Sequence, residues 1–366
     1  MQTGVRGENA VDFWRGLALV MIFIDHIPGN VVSYLTLRNF AISDAAELFV
    51  FLAGWSTSFA TGGPLKSNPP GQVTFRLLYR AVQIYRAQLV ISVIAIALLS
   101  ASALWSENPL FLEWHNASVV FYDPARASIG LVLLTYQLSY FNILPLYVVI
   151  LLAAPVFVLI GRRSLTAAMG LSLAIYLFAI VTRTNPTGWP AADTWYLNPL
   201  SWQLLFVAGF AAAEISQRSS AAVALAARLW PIAAALVILG LIVTRLEWWP
   251  DPFKVPEPRH LFLFDKTYLS PARLLSMMAL VLAFQGAFGW LNAIASPVSR
   301  WLCALGRNSL AVFSVASLAS LLGQICRFLT HGGIAIDIAM ISLGLCLMGF
   351  TAWFVEWRSR LQPPAR

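Results

Sequence analysis

Asn9-Ala-Val-Asp12-Phe-Trp-Arg15-Gly16-Leu-Ala-Leu-Val-Met-Ile-Phe-Ile-Asp25-His26-Ile-Pro28-Gly29-Asn30 is an apolar run of membrane length that carries ionisable side chains. Asp12, Arg15, Asp25 and His26 would sit at or within a bilayer, where charge is expensive and is usually kept for function. Arg15 and His26 are eleven residues apart, about three helical turns, so they share one face at a separation of roughly 16 Å. One end of that face could hold an anion while the other does proton chemistry. The pattern points to an enzyme.

Composition sets the class. Of 366 residues, 59% are hydrophobic and 11% charged; a soluble domain carries about 25% charged residues. The chain reads as an integral membrane protein. Its apolar stretches have helical length, without the alternating ten-residue segments of an outer-membrane barrel. Asp12 and Arg15 interrupt the first apolar segment and no clear small-residue cleavage site follows, so no cleavable signal is expected. Cys303, Cys326 and Cys346 lie in or beside apolar spans; an odd, buried set argues against a disulfide framework and against a zinc site.

The fold expected is all-α and polytopic: one integral-membrane domain over 1–366 with about ten transmembrane helices. They fall near 10–29, 44–60, 77–104, 141–160, 165–183, 199–215, 228–246, 269–291, 302–325 and 334–356. The segment 125–139 is too short to span and is expected to re-enter or to lie at the interface. Stretches 61–72 and 247–268 are Pro/Gly-rich connectors. With an even number of spans, Arg6, Lys66, Arg76, Arg80, Arg162, Arg163, Arg218, Arg228, Arg307, Arg358, Arg360 and Arg366 all fall on the side of the termini. Most of the acids, such as Glu107, Glu113, Asp123, Asp193, Glu247, Asp251 and Glu257, fall on the other. The positive-inside rule then makes both termini cytoplasmic. The net charge of +8 reflects this bias; anionic lipid accounts for it, and nucleic acid is not needed.

His26 is the leading catalytic candidate, because imidazole titrates near neutrality and suits a general base. Asp44 and Glu47 follow at i,i+3 on a helix start, where acids favour the helix dipole and cap free amides. Asp44 fits that structural role. Glu47 lies a turn deeper, level with His26, and could orient the imidazole. In Phe75-Arg76-Leu-Leu-Tyr79-Arg80-Ala-Val-Gln83-Ile-Tyr85-Arg86, Arg76 and Arg80 stack at i,i+4. Arg80 and Arg86 run further into the apolar segment than anchoring requires. Together with Arg15 these arginines could grip a polyphosphate. Trp195-Tyr196-Leu-Asn198-Pro-Leu-Ser-Trp202-Gln203 has aromatics that suit either an interfacial belt or platforms for sugar rings. Asp265-Lys266 could be a salt-bridged helix start, and Asn308 and Ser309 caps or pore-lining groups.

Taken in order, these motifs resemble the OpgC family of the membrane acyltransferase-3 superfamily. Asp12, Arg15, Gly16 and His26 match the first-span pattern. Ser43-Asp44-Ala-Ala-Glu47-Leu-Phe-Val-Phe-Leu-Ala-Gly54 matches the second. Asn142-Ile-Leu-Pro-Leu-Tyr147, Trp195 to Phe206, Asp265-Lys266 and Leu305-Gly-Arg307-Asn308-Ser309-Leu310-Ala-Val-Phe313 match later ones. The resemblance covers nearly the whole chain. It implies a bacterial inner-membrane acyltransferase that decorates osmoregulated periplasmic glucans, typically with succinyl groups from succinyl-CoA. In that reading His26, Glu47 and Asp12 are catalytic, and Arg15, Arg76, Arg80 and Arg86 bind acyl-CoA. Asp44, Trp195, Asn198, Trp202, Gln203, Asp265 and Lys266 bind substrate. The expected partners are acyl-CoA as donor substrate, a glucan or other polysaccharide, and membrane lipid; no metal and no tightly bound cofactor is expected.

Other readings share the residues. Acetyl-CoA could be the donor, and a lipid-linked sugar or surface polysaccharide the acceptor. A transporter also places Asp, Arg and His inside a bundle.

Overall fold

The computed structural model describes residues 7–61 and 68–361. Lys66, Arg6 and Arg366, used above for orientation, and residues 62–67 of the 61–72 connector lie outside them. The described chain is helical: α1 (Ala10–Asp25), α2 (Ala45–Ala60), α3 (Pro70–Ser106), α4 (Ser118–Tyr122), α5 (Pro124–Leu133), α6 (Ile143–Arg163), α7 (Leu165–Thr182), α8 (Pro199–Arg218), α9 (Ser220–Arg228), α10 (Trp230–Arg245), α11 (Pro271–Phe284), α12 (Ala287–Ile294), α13 (Ser296–Arg307), α14 (Ser309–Leu329) and α15 (Ile334–Leu361). Among the described residues, extended pairing is limited to a single bridge between Thr187 and Thr194.

Each expected span coincides with helix, and among the described residues 5 helices, or 7 counting bent pairs, are long and apolar enough to cross a bilayer. By length and apolarity α3, α6, α7, α14 and α15 qualify. The bent pairs α9–α10 (48°) and α11–α12 (55°) raise the number from 5 to 7 if each is one span. α1 and α2 have 16 residues each, about 24 Å at 1.5 Å per residue, against a hydrocarbon core of roughly 30 Å. α8 places Gln203, Glu214 and Arg218 along its length and is not among the qualifying helices. The ninth segment, 302–325, is interrupted at Asn308. Helical hydrogen bonds nevertheless continue across the break, from Asn308 N–H to Ala304 (3.3 Å) and from Val312 N–H to Asn308 (3.0 Å). α5, with 10 residues, is too short to span, as expected.

Two compact units make up the chain. The first holds residues up to Asn39, Asp44–Phe49, and Ala283 onward. Its centre is α1, which α14 accompanies in the same direction: Arg15 meets Ser309 near one end, and the His26 carbonyl meets Gln324 near the other. α15 returns antiparallel, with Gly344 against Phe23 and Asp337 bonded to Val31. The outer ends of α1 and α15 therefore lie at the same end of this unit. α13 crosses α1 through reciprocal glycines. A Cβ on Gly16 would fall 2.0 Å from the Leu302 carbonyl oxygen, and one on Gly306 would fall 1.9 Å from that of Asp12. Small residues let helix backbones touch in this way where lipid supplies no hydrophobic drive.

The second unit holds Phe40–Ser43 and Val50–Leu282. α2 and α8 meet at a similar glycine pair, Gly54 against Phe206 and Gly209 against Phe51. One end of this unit is rich in arginine. Arg76 donates to Ala60 O (3.2 Å), and Arg162 donates to Thr61 O (2.7 Å) and Asn68 O (2.8 Å). Buried Glu214 accepts from Ser58 Oγ (2.7 Å) and pairs with Arg218. The opposite end is closed by the segments 183–198 and 246–270, linked by Asn198 N–H to Thr267 O (3.1 Å) and Tyr268 Oη to Arg183 O (2.7 Å).

Candidate functional site

α1 presents its chemistry from both ends. At its start, Asn9 and Asp12 bond reciprocally. The Asp12 N–H donates to Asn9 Oδ1 (2.9 Å), and Asn9 Nδ2 donates to Asp12 Oδ2 (2.6 Å). This is the geometry of a helix cap, which satisfies otherwise orphaned donors. Asp12, expected to be catalytic, therefore serves here to start α1. Three residues on, the Arg15 guanidinium donates to Ser309 Oγ (2.5 Å) and lies 5.8 Å from the Phe49 ring centroid. Phe49 in turn stacks on Phe313. An arginine held by a hydroxyl and an aromatic face has surrendered much of its rotamer freedom before any ligand arrives.

His26 closes the other end of α1. Its N–H bonds to Ile22 O (3.0 Å) and its carbonyl accepts from Gln324 Nε2 (2.5 Å). The imidazole is half-buried and springs from a backbone fixed on both sides. Beside it, Asp25 Oδ1 accepts from the buried Thr36 hydroxyl (2.6 Å). Pro28-Gly29 then turns the chain out of the helix, with Gly29 at φ +79°.

Asp44 and Glu47 form a capping box at the start of α2. Asp44 Oδ1 accepts from Ala46 N–H (2.9 Å), and Glu47 Oε2 accepts from Asp44 N–H (3.0 Å). Asp44 thus takes the capping role read from the sequence. Glu47 is fully buried, a placement that capping alone does not require.

Sequence reasoning missed two polar networks in this unit. Arg307 bonds Glu356 Oε1 through Nε (3.1 Å) and Nη2 (3.0 Å), and Asn308 Nδ2 donates to the same oxygen (3.1 Å). At the other end Arg327 Nε pairs with Asp337 Oδ1 (3.0 Å), while Arg327 also donates to the Gly29 carbonyl. A carboxylate inside the apolar run Ile334-Ala-Ile-Asp337-Ile-Ala-Met was a visible signal for the second network.

In the second unit Arg76 and Arg86 are exposed and Arg80 is half-buried, with Arg80 Nη1 donating to Gln83 Oε1 (2.9 Å). Six residues separate Arg80 from Arg86, which turns them about 120° apart around α3. The expected sugar platforms, by contrast, are inside. Trp202 is fully buried with Nε1 donating to Lys266 O (3.0 Å), and Trp195 is buried as well. Asn198 Nδ2 donates to Thr184 O (2.8 Å), and its Oδ1 accepts from Leu200 N–H (3.0 Å). Gln203 exchanges bonds with Ser172. Trp195, Asn198, Trp202 and Gln203 hold the end of this unit together instead of lining a surface. Asp265 bonds His260 Nδ1 (2.6 Å) and Tyr268 N–H (3.1 Å). Lys266 is half-buried and contributes its carbonyl to Trp202.

Charge pairing tunes these outer segments. The hydrogen bond from Arg183 holds the Glu257 carboxyl below its ordinary range. Burial, and next the charge of Asp265, pushes the Tyr268 hydroxyl up. Burial and Asp193 push the Tyr136 hydroxyl up to about 12.

These features define an all-helical polytopic membrane protein with an arginine and a histidine fixed along one face of its first helix. A family model described as OpgC protein matches residues 8–360. The chain belongs to the OpgC family. No curated protein and no solved structure matches it.

Proposed function

We propose that this protein is a bacterial inner-membrane O-acyltransferase, moving an acyl group, succinyl in the first instance, from cytoplasmic acyl-CoA to a hydroxyl of a periplasmic glucan. The observation that carries this reading is α1, in a chain of the OpgC family. Arg15 is held by Ser309 and Phe49, and His26 is fixed by Gln324 one helix length away. The distance of roughly 16 Å suits a donor whose phosphates and thioester lie far apart. Arg15 is assigned to the donor, because guanidinium groups recognise phosphate in bidentate fashion. The arginine-rich end of the second unit supports a cytoplasmic placement of that end, and the positive-inside pattern of the sequence assigns both termini to the cytoplasm.

In the reaction, His26 takes the proton of a glucose hydroxyl as its oxygen attacks the thioester carbonyl carbon. The C–O bond forms, the C–S bond breaks, and the imidazolium returns the proton to the departing thiolate. Glu47 orients and stabilises the charged ring. Holding both reactants in the membrane replaces a bimolecular encounter with a positioned one.

Mass spectrometry of periplasmic glucans from cells with and without the protein tests this reading. Acyl-modified glucan, with a mass increment that identifies succinyl or acetyl, is expected only where the protein is present. Identical glucan spectra would refute the assigned acceptor.

A further inference from the structure

The segment 246–270 joins α10 to α11 and is irregular apart from a short turn at Arg259–Leu261. A connection this long without regular structure is uncommon in a compact domain and is usually functional. It displays aromatics outward: Trp248 is 61% exposed, Trp249 51% and Phe253 89%. Trp249 meets Phe264 edge-on at 5.6 Å, and Phe264 immediately precedes Asp265. Asp265 holds His260 by Nδ1 at 2.6 Å, and the His260 ring packs 4.4 Å from that of Tyr268. The carboxylate accepts from Nδ1 and fixes the ring, which leaves Nε2 for a second hydrogen bond. Nε2 makes no hydrogen bond to the described residues, and the side chain retains 23% exposure.

Membrane burial does not suit this segment. Its backbone is irregular, Pro250, Pro252, Pro256 and Pro258 interrupt it, and charged residues alternate with the aromatics. Unpaired peptide groups of this kind are not tolerated in hydrocarbon. A charged ligand is also poorly matched, because the local charges are largely spent on one another. Asp251 pairs with Lys254 (3.3 Å), Glu257 with Arg183 and Arg259, and Asp265 with His260. What remains on offer is aromatic faces beside one oriented imidazole nitrogen.

We infer that segment 246–270 carries a binding subsite for a neutral oligosaccharide, in which His260 Nε2 hydrogen-bonds a sugar hydroxyl and Trp248, Trp249 and Phe253 pack against pyranose faces. The inference rests on the glucan-acceptor reading above. It assigns acceptor docking to this segment in place of the buried Trp195 and Trp202. Asp265 is a positioning residue here, acting through His260.

Calorimetric titration of the purified, detergent-solubilised protein with a β-linked glucose oligosaccharide tests the subsite. His260→Ala should weaken binding about fivefold, the worth of one neutral hydrogen bond. Trp249→Ala should weaken it roughly three- to tenfold. His260→Gln, whose amide can still hydrogen-bond a hydroxyl, should recover part of the loss, and acyl-CoA affinity should not move. In turnover the acceptor KM should rise with kcat unchanged. Equal oligosaccharide affinity in wild type, His260→Ala and Trp249→Ala would overturn the subsite while leaving the acceptor class intact. A wild type that bound no oligosaccharide would overturn the acceptor reading and the subsite together. Trp249 fluorescence that responded to brominated lipid but not to oligosaccharide would assign the aromatics to the membrane interface and overturn the subsite alone.

Discussion

Replacing His26 by alanine is expected to reduce acyl transfer by about 10²–10⁴-fold, the usual contribution of a positioned general base, while acyl-CoA affinity is retained. The backbone contacts that place His26, from its N–H to Ile22 and from Gln324 to its carbonyl, do not involve the imidazole. The variant should therefore fold. Glu47→Gln should lose less, because an amide oxygen can still accept from the Asp44 N–H now bonded to Oε2. Asp44→Asn should cost about 1 kcal/mol or less, the scale of a helix cap. Steady-state transfer and acyl-CoA binding, measured side by side on the three variants, check this order. A folded His26→Ala protein that transferred at near wild-type rate would remove the general-base assignment.

The largest expected effect on stability is at Asp337. Its carboxylate pairs with Arg327 Nε (3.0 Å) through Oδ1 and accepts from Val31 N–H (3.0 Å) through Oδ2. It thereby ties the first turn of α15 to the last turn of α14 and to the chain leaving His26. The Asp337 side chain is 3% exposed and that of Arg327 24%. Removing one partner of a buried ion pair costs roughly 3–5 kcal/mol. The partial exposure of Arg327 places Asp337→Ala near the lower end, about 3 kcal/mol. Asp337→Asn should lose less, since its amide oxygen can still accept from Val31. Thermal unfolding in detergent, followed by size-exclusion chromatography, should show a lowered midpoint for both in that order. Unchanged midpoints would mean that the pair does not hold this end of the unit. Transfer should fall with stability, because Gly29, three residues after His26, is bonded to the same arginine.

Much of the helical layout was legible because apolar runs of helical length and their caps are local signals. Asp44 capping α2 and the shortness of the 125–139 segment both follow from such signals. The span count was not legible to the same degree. A hydropathy window averages across a one-residue break, so Asn308 between α13 and α14 was invisible in 302–325. Pro28-Gly29 marked the exit from the first segment, yet α1 already ends at Asp25 and is left short of a full crossing. In the first helix, the placement of Arg15 and His26 toward its two ends was readable from spacing alone. The capping role of Asp12 was not legible, because an acid three residues after Asn9 can make reciprocal bonds with it or face elsewhere, and only the fold shows which. The burial of Trp195 and Trp202 was not legible for a similar reason: an exposed indole and a buried one look alike in sequence. Pairings across long separations, such as Arg307 with Glu356 and Arg327 with Asp337, depend on which helices meet, which no local pattern encodes.

Transfer across a sealed bilayer tests the proposed chemistry most directly. Purified protein is reconstituted in vesicles with its arginine-rich side outward, radiolabelled succinyl-CoA outside and a glucose oligosaccharide inside. The expected result is label covalently attached to the enclosed oligosaccharide, one free CoA thiol appearing outside for each ester formed, and none of this with His26→Ala. Entry of intact succinyl-CoA, or exit of unmodified oligosaccharide, without any ester formed would contradict it and identify a transporter.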